Sequence, residues 1–360
     1  NTFLTFNCID YAKKSISIPL MSITHIFTRR YLLMDTAIEV FTSSHRSYMF
    51  DFAAGQRSKI LDELKKFGLP NIVFLQTCDE DAKPLLEKIR NEWQAGEMSN
   101  FDYLMKLNLL AGRTYNDLSQ YPVFPWIIAD YESETLNLDD PSTFRDLSLP
   151  LGAINENRLQ LLLNRRMVNS GDLDYLYGSF YSSSAVVVGY LIRIEPFTSL
   201  HIELQAGRFD VPSRLFNSIP KAWESVSKAP MDFRELIPEF FYMPDFLVNK
   251  NNFDLGVSET NDVELPRWAS SPRDFITKNR AALESKIASA MLPRWIDLIF
   301  GVLSRGEDSI SVNNVFSPYF FETAITPEVL DDPKQLKFIQ EYAACFGHAP
   351  RQLFFEPHKS

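Results

Sequence analysis

Residues 112–126 read GRTYNDLSQYPVFPW, and this stretch decides the architecture of the larger part of the chain. Pro122 and Pro125 each lack an amide hydrogen and fix their own φ, so no regular helix runs through it. With Pro141 and Pro150 further on, nothing between 112 and 150 sustains a period of 3.6 residues. Yet the same span carries Tyr115, Tyr121, Phe124, Trp126 and Tyr131, more aromatic surface than a solvated loop would expose. The reading is an extended segment buried in a core. Its amides and carbonyls then need partners, and Asn108, Arg113, Asn116, Asp117, Gln120 and Asp130 can supply them. That structural duty is the first reading of these polar residues, and catalysis the second.

Outward from this segment the pattern becomes helical. Residues 85–110 carry a helical period interrupted at Gly96. The apolar run at 185–194 suits a buried helix or strand ending at Pro196, and the serines before it, Ser179 and Ser182 to Ser184, read as caps rather than an anion site. Ser271-Pro272 and Thr326-Pro327 each place a capping residue before a proline, the preferred start of a helix. The first of these helices should reach about Leu303, with a break or kink at Pro293.

The first eighty residues differ. Runs at 16–26, 37–42 and 48–52 are rich in β-branched and aromatic residues and read as antiparallel strands. Ile60, Leu61, Leu64 and Phe67 then recur at helical spacing, with Gly68 as a stop. Strands followed by one helix suggest a small barrel or sandwich capped at an open end, with earlier strands missing. Asp79, Glu80 and Asp81 mark a linker within 69–83. Residues 1–90 carry net charge +2 and residues 91–360 carry −12, so the acidic part is the larger domain. The expected division is a small domain over 1–75, a linker over 76–90 and a large domain over 91–360.

With a net charge of −10 the chain has no general affinity for nucleic acid or anionic membranes. Three scattered cysteines, Cys8, Cys78 and Cys345, indicate neither a disulfide framework nor a zinc ribbon, and suit a reducing compartment. The longest apolar run, 185–192, is far short of the roughly 20 residues that span a bilayer. A chain opening on Asn1 without a leader reads as a piece of a longer polypeptide. Glycine-rich phosphate loops, a nucleophile elbow and H-E-x-x-H are all missing, and no cofactor or metal is implied. Cys345 and His348 make half a zinc site at most. Asp139-Asp140 and Asp331-Asp332 adjoin prolines as turn and cap residues do, and Glu235 with Glu239 has the spacing of one solvated helical face. Lys13, Lys14, Arg29 and Arg30 form a basic cluster that invites a phosphoinositide reading, but Glu39 on the neighbouring strand can pair with an arginine, which favours a protein contact.

Taken together, the blocks SNFDYLM at 99–105, AGRTYNDL at 111–118, QYPVFPW at 120–126 and FRDLS at 144–148 resemble the BEACH domain signature. RIEPFT at 193–198, ELIPEF at 235–240, VELP at 263–266, ALES at 282–285 and WIDLIFG at 295–301 continue it in the family's order, so the resemblance covers about three quarters of the chain. IFTRRY at 26–31 and AIEVF at 37–41 are similar to the divergent PH domain that precedes BEACH. The resemblance implies an α+β fold, in which a small β-rich PH-like domain packs across a groove on a mainly α-helical BEACH domain with an irregular, extended-segment core. It implies a non-catalytic scaffold or adaptor, cytoplasmic and peripheral to endomembranes, that binds protein partners at the PH-BEACH groove in vesicle traffic, lysosome-related compartments and autophagy. WD40 repeats are expected in the full-length protein. The partner-binding residues so implied are Arg29, Arg30 and Glu39 with Asn100, Tyr103, Tyr115 and Tyr121, each tyrosine also being a candidate for core packing. The alternative is a phosphoinositide-binding membrane adaptor using Lys13, Lys14, Arg29 and Arg30.

Overall fold

The computed structural model describes residues 3–7, 15–66, 73–75, 82–168 and 174–359. Its contacts divide the chain into two compact units, Asn1–Leu85 and Leu86–Ser360.

In the first unit β1 (Phe3–Asn7) pairs antiparallel with β2 (Ser15–Pro19). A second sheet contains β3 (Ile23–Tyr31), β4 (Met34–Thr42) and β5 (Ser47–Asp51) as an antiparallel meander, followed by α1 (Gln56–Lys66) and β6 (Val73–Leu75). Ile38 and Val40 turn inward by alternation, a register shift between Ile23 and His25 brings both Ile23 and Ile26 to the same core as Ile18, and α1 covers them with Leu61 and Leu64. The strands expected at 37–42 and 48–52 and the closing helix are therefore present, whereas the strand expected at 16–26 is two, β2 and β3, parted by a 3-10 turn at Leu20–Ser22 and belonging to different sheets. β6 lies in the stretch 69–83 that the sequence marks for a linker, yet inside the small domain expected over 1–75, and joins β3 in parallel. The short β-branched and apolar run Val73-Phe74-Leu75 is too brief to show a period.

α2 (Lys83–Gln94) leads from the first unit into the second and is followed by α3 (Asn100–Leu110), the two separated at Gly96, whose φ of 74° only glycine adopts without strain. Later come α4 (Glu156–Val168), α5 (Ser184–Tyr190), α6 (Phe197–Leu204), α7 (Ile219–Lys228), α8 (Pro272–Leu283), α9 (Lys286–Phe300), α10 (Gly306–Ser311), α11 (Pro327–Asp331) and α12 (Pro333–Phe346). Several starts carry the side-chain caps that the sequence indicates: Ser183, Ser271, Thr326 and Asp332 each accept an amide of the first turn. Pro293 does not divide its helix. The break falls at Glu284-Ser285, where Ser285 caps α9, and Pro293 sits inside α9 at the cost of one backbone bond.

Between α3 and α4 the chain is extended and buried, held by side chains rather than by a ladder. Phe124 exchanges both backbone bonds with Leu236, at 2.9 and 2.8 Å. Asn108 mimics a neighbouring strand: its carbonyl accepts the Val123 amide at 2.8 Å, and its Nδ2 donates to the carbonyls of Val123 and Leu104. Arg113 donates to the carbonyls of Tyr121 and His348. Arg158 of α4 closes the C-terminus of α7 by donating to Val226 and Ala229.

Glu235 lies at the centre of this arrangement. Arg145 Nη1 donates to its two oxygens at 2.8 and 2.9 Å, the Trp126 amide to Oε2 at 3.1 Å and the Trp295 indole to Oε1 at 3.1 Å. Both side chains are at most 3% exposed. Glu235 and Glu239 thus do not share a solvated helical face. Pro238 opens a 3-10 turn over Pro238–Phe241, leaving Glu235 outside it, and both carboxylates point into the core. Removing one partner of a buried ion pair strands the other, at about 3–5 kcal/mol. Glu235→Ala should therefore lose about that much in urea unfolding, and a loss under about 1 kcal/mol would show that the pair does not hold the core.

Candidate functional site

The residues singled out by the sequence fall into three places. In the first unit Arg29 and Glu39 sit diagonally across β3 and β4, because Phe27 pairs with Glu39 and Arg29 with Ala37. Arg29 Nε donates to Glu39 Oε2 at 2.7 Å, and the guanidinium lies 4.9 Å from the Phe27 ring centroid. Both side chains are buried, as is Arg30. A lipid headgroup would meet neither arginine as an exposed cation, which corrects that part of the phosphoinositide reading. Lys13 and Lys14 lie outside the described residues.

Asn100 and Tyr103 begin α3. Glu284 accepts the amides of Asn100 and Phe101 at 2.7 and 3.1 Å, and Ser99 accepts that of Asp102, so the helix N-terminus is fully capped. Asn100 accepts from the Trp93 indole at 2.7 Å and donates to Leu283 and Ser289. Trp93 stacks on Tyr103 at 4.7 Å, and the Tyr103 hydroxyl meets His358 Nε2 at 2.6 Å. The His358 amide donates to Asp297 of α9. Asn100 and Tyr103 are therefore core residues that clamp the C-terminal segment. A cleft of about 630 Å³ opens beside them, bordered by Trp93, Glu97, Met98, Ser99, Glu284 and Ser289.

Tyr115 and Tyr121 join a different group, with Glu239 and Tyr242. Tyr121 and Tyr242 both donate to Glu239 Oε1, at 2.7 and 3.2 Å. Tyr115 stands edge-on to Tyr121 at 5.1 Å, and its hydroxyl donates to Met105 Sδ. Burial raises the Glu239 carboxyl above the ordinary carboxylate range, and burial together with that carboxylate raises all three tyrosines. Tyr115 and Tyr242 are half-exposed while Tyr121 is buried. Sequence reasoning missed Glu239, Tyr242, Trp93 and His358 as members of these groups. The signal for Glu239 was Pro238, which argues against a helix through 235–239.

Cys345 and His348 do not act together. Cys345 is exposed, whereas His348 is buried, with Nε2 on the Ser119 hydroxyl at 2.9 Å.

The family model of the Beige/BEACH domain matches residues 91–360, and that of the PH domain associated with Beige/BEACH matches residues 7–65. The chain belongs to the BEACH family. Its first unit contains the PH-like domain and its second is the BEACH domain, an α+β combination as the resemblance implied. Within BEACH the signature polar residues Asn108, Arg113, Arg145 and Glu235 are bonded to backbone or to one another. Among the described residues no helix is long and apolar enough to cross a membrane.

The BEACH clamp on His358 has a pH signature. Burial, assisted by Arg90, pushes this imidazole down to about 4. An unfolded chain protonates it near 6.5, so between these values the unfolded state binds the extra proton. Stability is therefore full above about pH 6.5 and declines as pH falls to about 4, by up to about 3 kcal/mol. Asp297, raised by burial, acts in the opposite sense at the acid end. Urea unfolding at pH 7, 5.5 and 4.5 should show the wild type losing stability relative to His358→Gln. Parallel losses in both proteins would sink the assignment.

Proposed function

We propose that this chain is a non-catalytic adaptor module in endomembrane traffic, of vesicles, lysosome-related compartments or autophagy, that works by binding protein partners. The observation supporting this reading is how the signature polar groups are engaged. Arg113, Arg145, Glu235 and Asn108 are buried and directed at the backbone or one another, a use suited to holding a fixed surface rather than to meeting a substrate. Among the aromatic residues of the signature Tyr115 is nearly half exposed, and Tyr242, just beyond the block at 235–240, is exposed to the same degree; exposed tyrosines are a common anchor of protein interfaces. In this reading Tyr115 is the contact residue. Asn100, Tyr103 and Tyr121 shape the BEACH surface from beneath, and Arg29, Arg30 and Glu39 hold the PH-like sheet whose exterior contributes further contacts.

The test is quantitative affinity capture from cell lysate by the 360-residue chain and by two variants, Tyr115→Ser and the pair Arg29→Glu with Glu39→Arg, each checked for unchanged thermal unfolding. Loss of stoichiometric partners by about tenfold in at least one variant is expected, in line with truncation of an interface anchor. Retention of every partner by both variants would remove the reading. Capture of nothing, with salt-sensitive binding to phosphoinositide liposomes instead, would replace it with the lipid adaptor.

A further inference from the structure

The group around Glu239 has an unusual polarity. Tyr121 and Tyr242 direct their hydroxyl hydrogens inward to one carboxylate oxygen, and Tyr115 directs its own to Met105 Sδ. All three hydroxyl hydrogens are thus engaged within the group, while Tyr115 and Tyr242 remain nearly half exposed. Glu239 Oε2 is buried and has no hydrogen-bond partner among the described residues, and no lysine or arginine among them pairs with this carboxylate. A carboxylate so placed lacks a countercharge. Next to it Phe101, edge-on to Tyr242 at 6.1 Å, already carries the Arg280 guanidinium over its ring at 4.1 Å, so the local chemistry accommodates a cation on an aromatic face.

From this juxtaposition of half-exposed Tyr115 and Tyr242 with buried Glu239 behind them, we propose that the BEACH surface here is a receptor for an arginine side chain of a protein partner. A guanidinium suits this group: its planar face lies on a tyrosine ring, and its positive charge stands near a buried carboxyl that has no ion-pair partner among the described residues. The charge of the larger domain, −12 over residues 91–360, draws the same class of partner. This inference deepens the adaptor reading and rests on it for the source of the arginine.

The experiment titrates the 360-residue chain, with ring-labelled tyrosines, with acetyl-arginine-N-methylamide and with its uncharged citrulline counterpart, resonances being assigned from Tyr115→Phe and Tyr242→Phe. Arginine should shift the rings of Tyr115 and Tyr242 saturably and bind about tenfold more tightly than citrulline. Glu239→Gln should shrink that preference to about threefold or less. If that buried variant does not fold, Tyr242→Leu serves, removing one ring and one acceptor, and should weaken arginine to the citrulline level. Equal binding of arginine and citrulline, shifts only at other tyrosines, or an equal response to phosphocholine each overturns the proposal. The outcomes separate from those of the adaptor test: partners captured without arginine preference leave the adaptor standing and remove this site, whereas arginine preference without captured partners does the reverse.

Discussion

A single buried carboxylate, that of Glu235, is the constraint on which the larger domain depends. The chain after α3 has neither helix nor ladder to absorb its polar backbone, and burying such a segment costs free energy for every amide left without a partner. Glu235 resolves this locally by joining the Trp126 amide, the Trp295 indole and Arg145 at one point. The neighbouring residue Leu236 exchanges backbone bonds with Phe124, so the register of the extended segment and the position of α9 are set together. Four hydrogen bonds from three donor groups leave the charge well solvated by protein, which is the condition under which a buried ion pair is tolerated.

The same economy recurs through both units. Arg29 and Glu39 neutralise each other within the PH-like sheet, Arg158 bonds the final carbonyls of α7, and Asn108 substitutes for a strand. Residue types that often mark chemistry are here used as fasteners for irregular backbone. A family signature rich in Arg, Asn and Glu can therefore record what the fold needs to exist, and the aromatic residues at its edge become the better guide to contact.

Much of this was open to inspection in the sequence because its causes are local. Proline spacing and aromatic density at 112–126 foretold a buried extended segment, and Ser271-Pro272 and Thr326-Pro327 foretold capped helix starts. The misreadings share a different origin. Glu235 and Glu239 have helical spacing, but spacing speaks of a shared face only if a helix is present, and Pro238 begins a turn between them. Pro293 was expected to break a helix that instead accommodates it, since packing of Trp295, Ile296 and Phe300 outweighs one lost bond. The groupings Tyr103 with His358 and Tyr121 with Glu239 join residues 255 and 118 positions apart, a relation no local pattern carries.

That long span between Tyr103 and His358 bears on how the domain is made. At a translation rate of roughly 5–20 residues per second, the 255 positions between them separate their emergence from the ribosome by roughly 13 to 50 seconds. Through that interval the faces of Trp93 and Tyr103 that later meet His358 have no native cover. A nascent BEACH domain would thus hold this aromatic surface open until His358 has been synthesised.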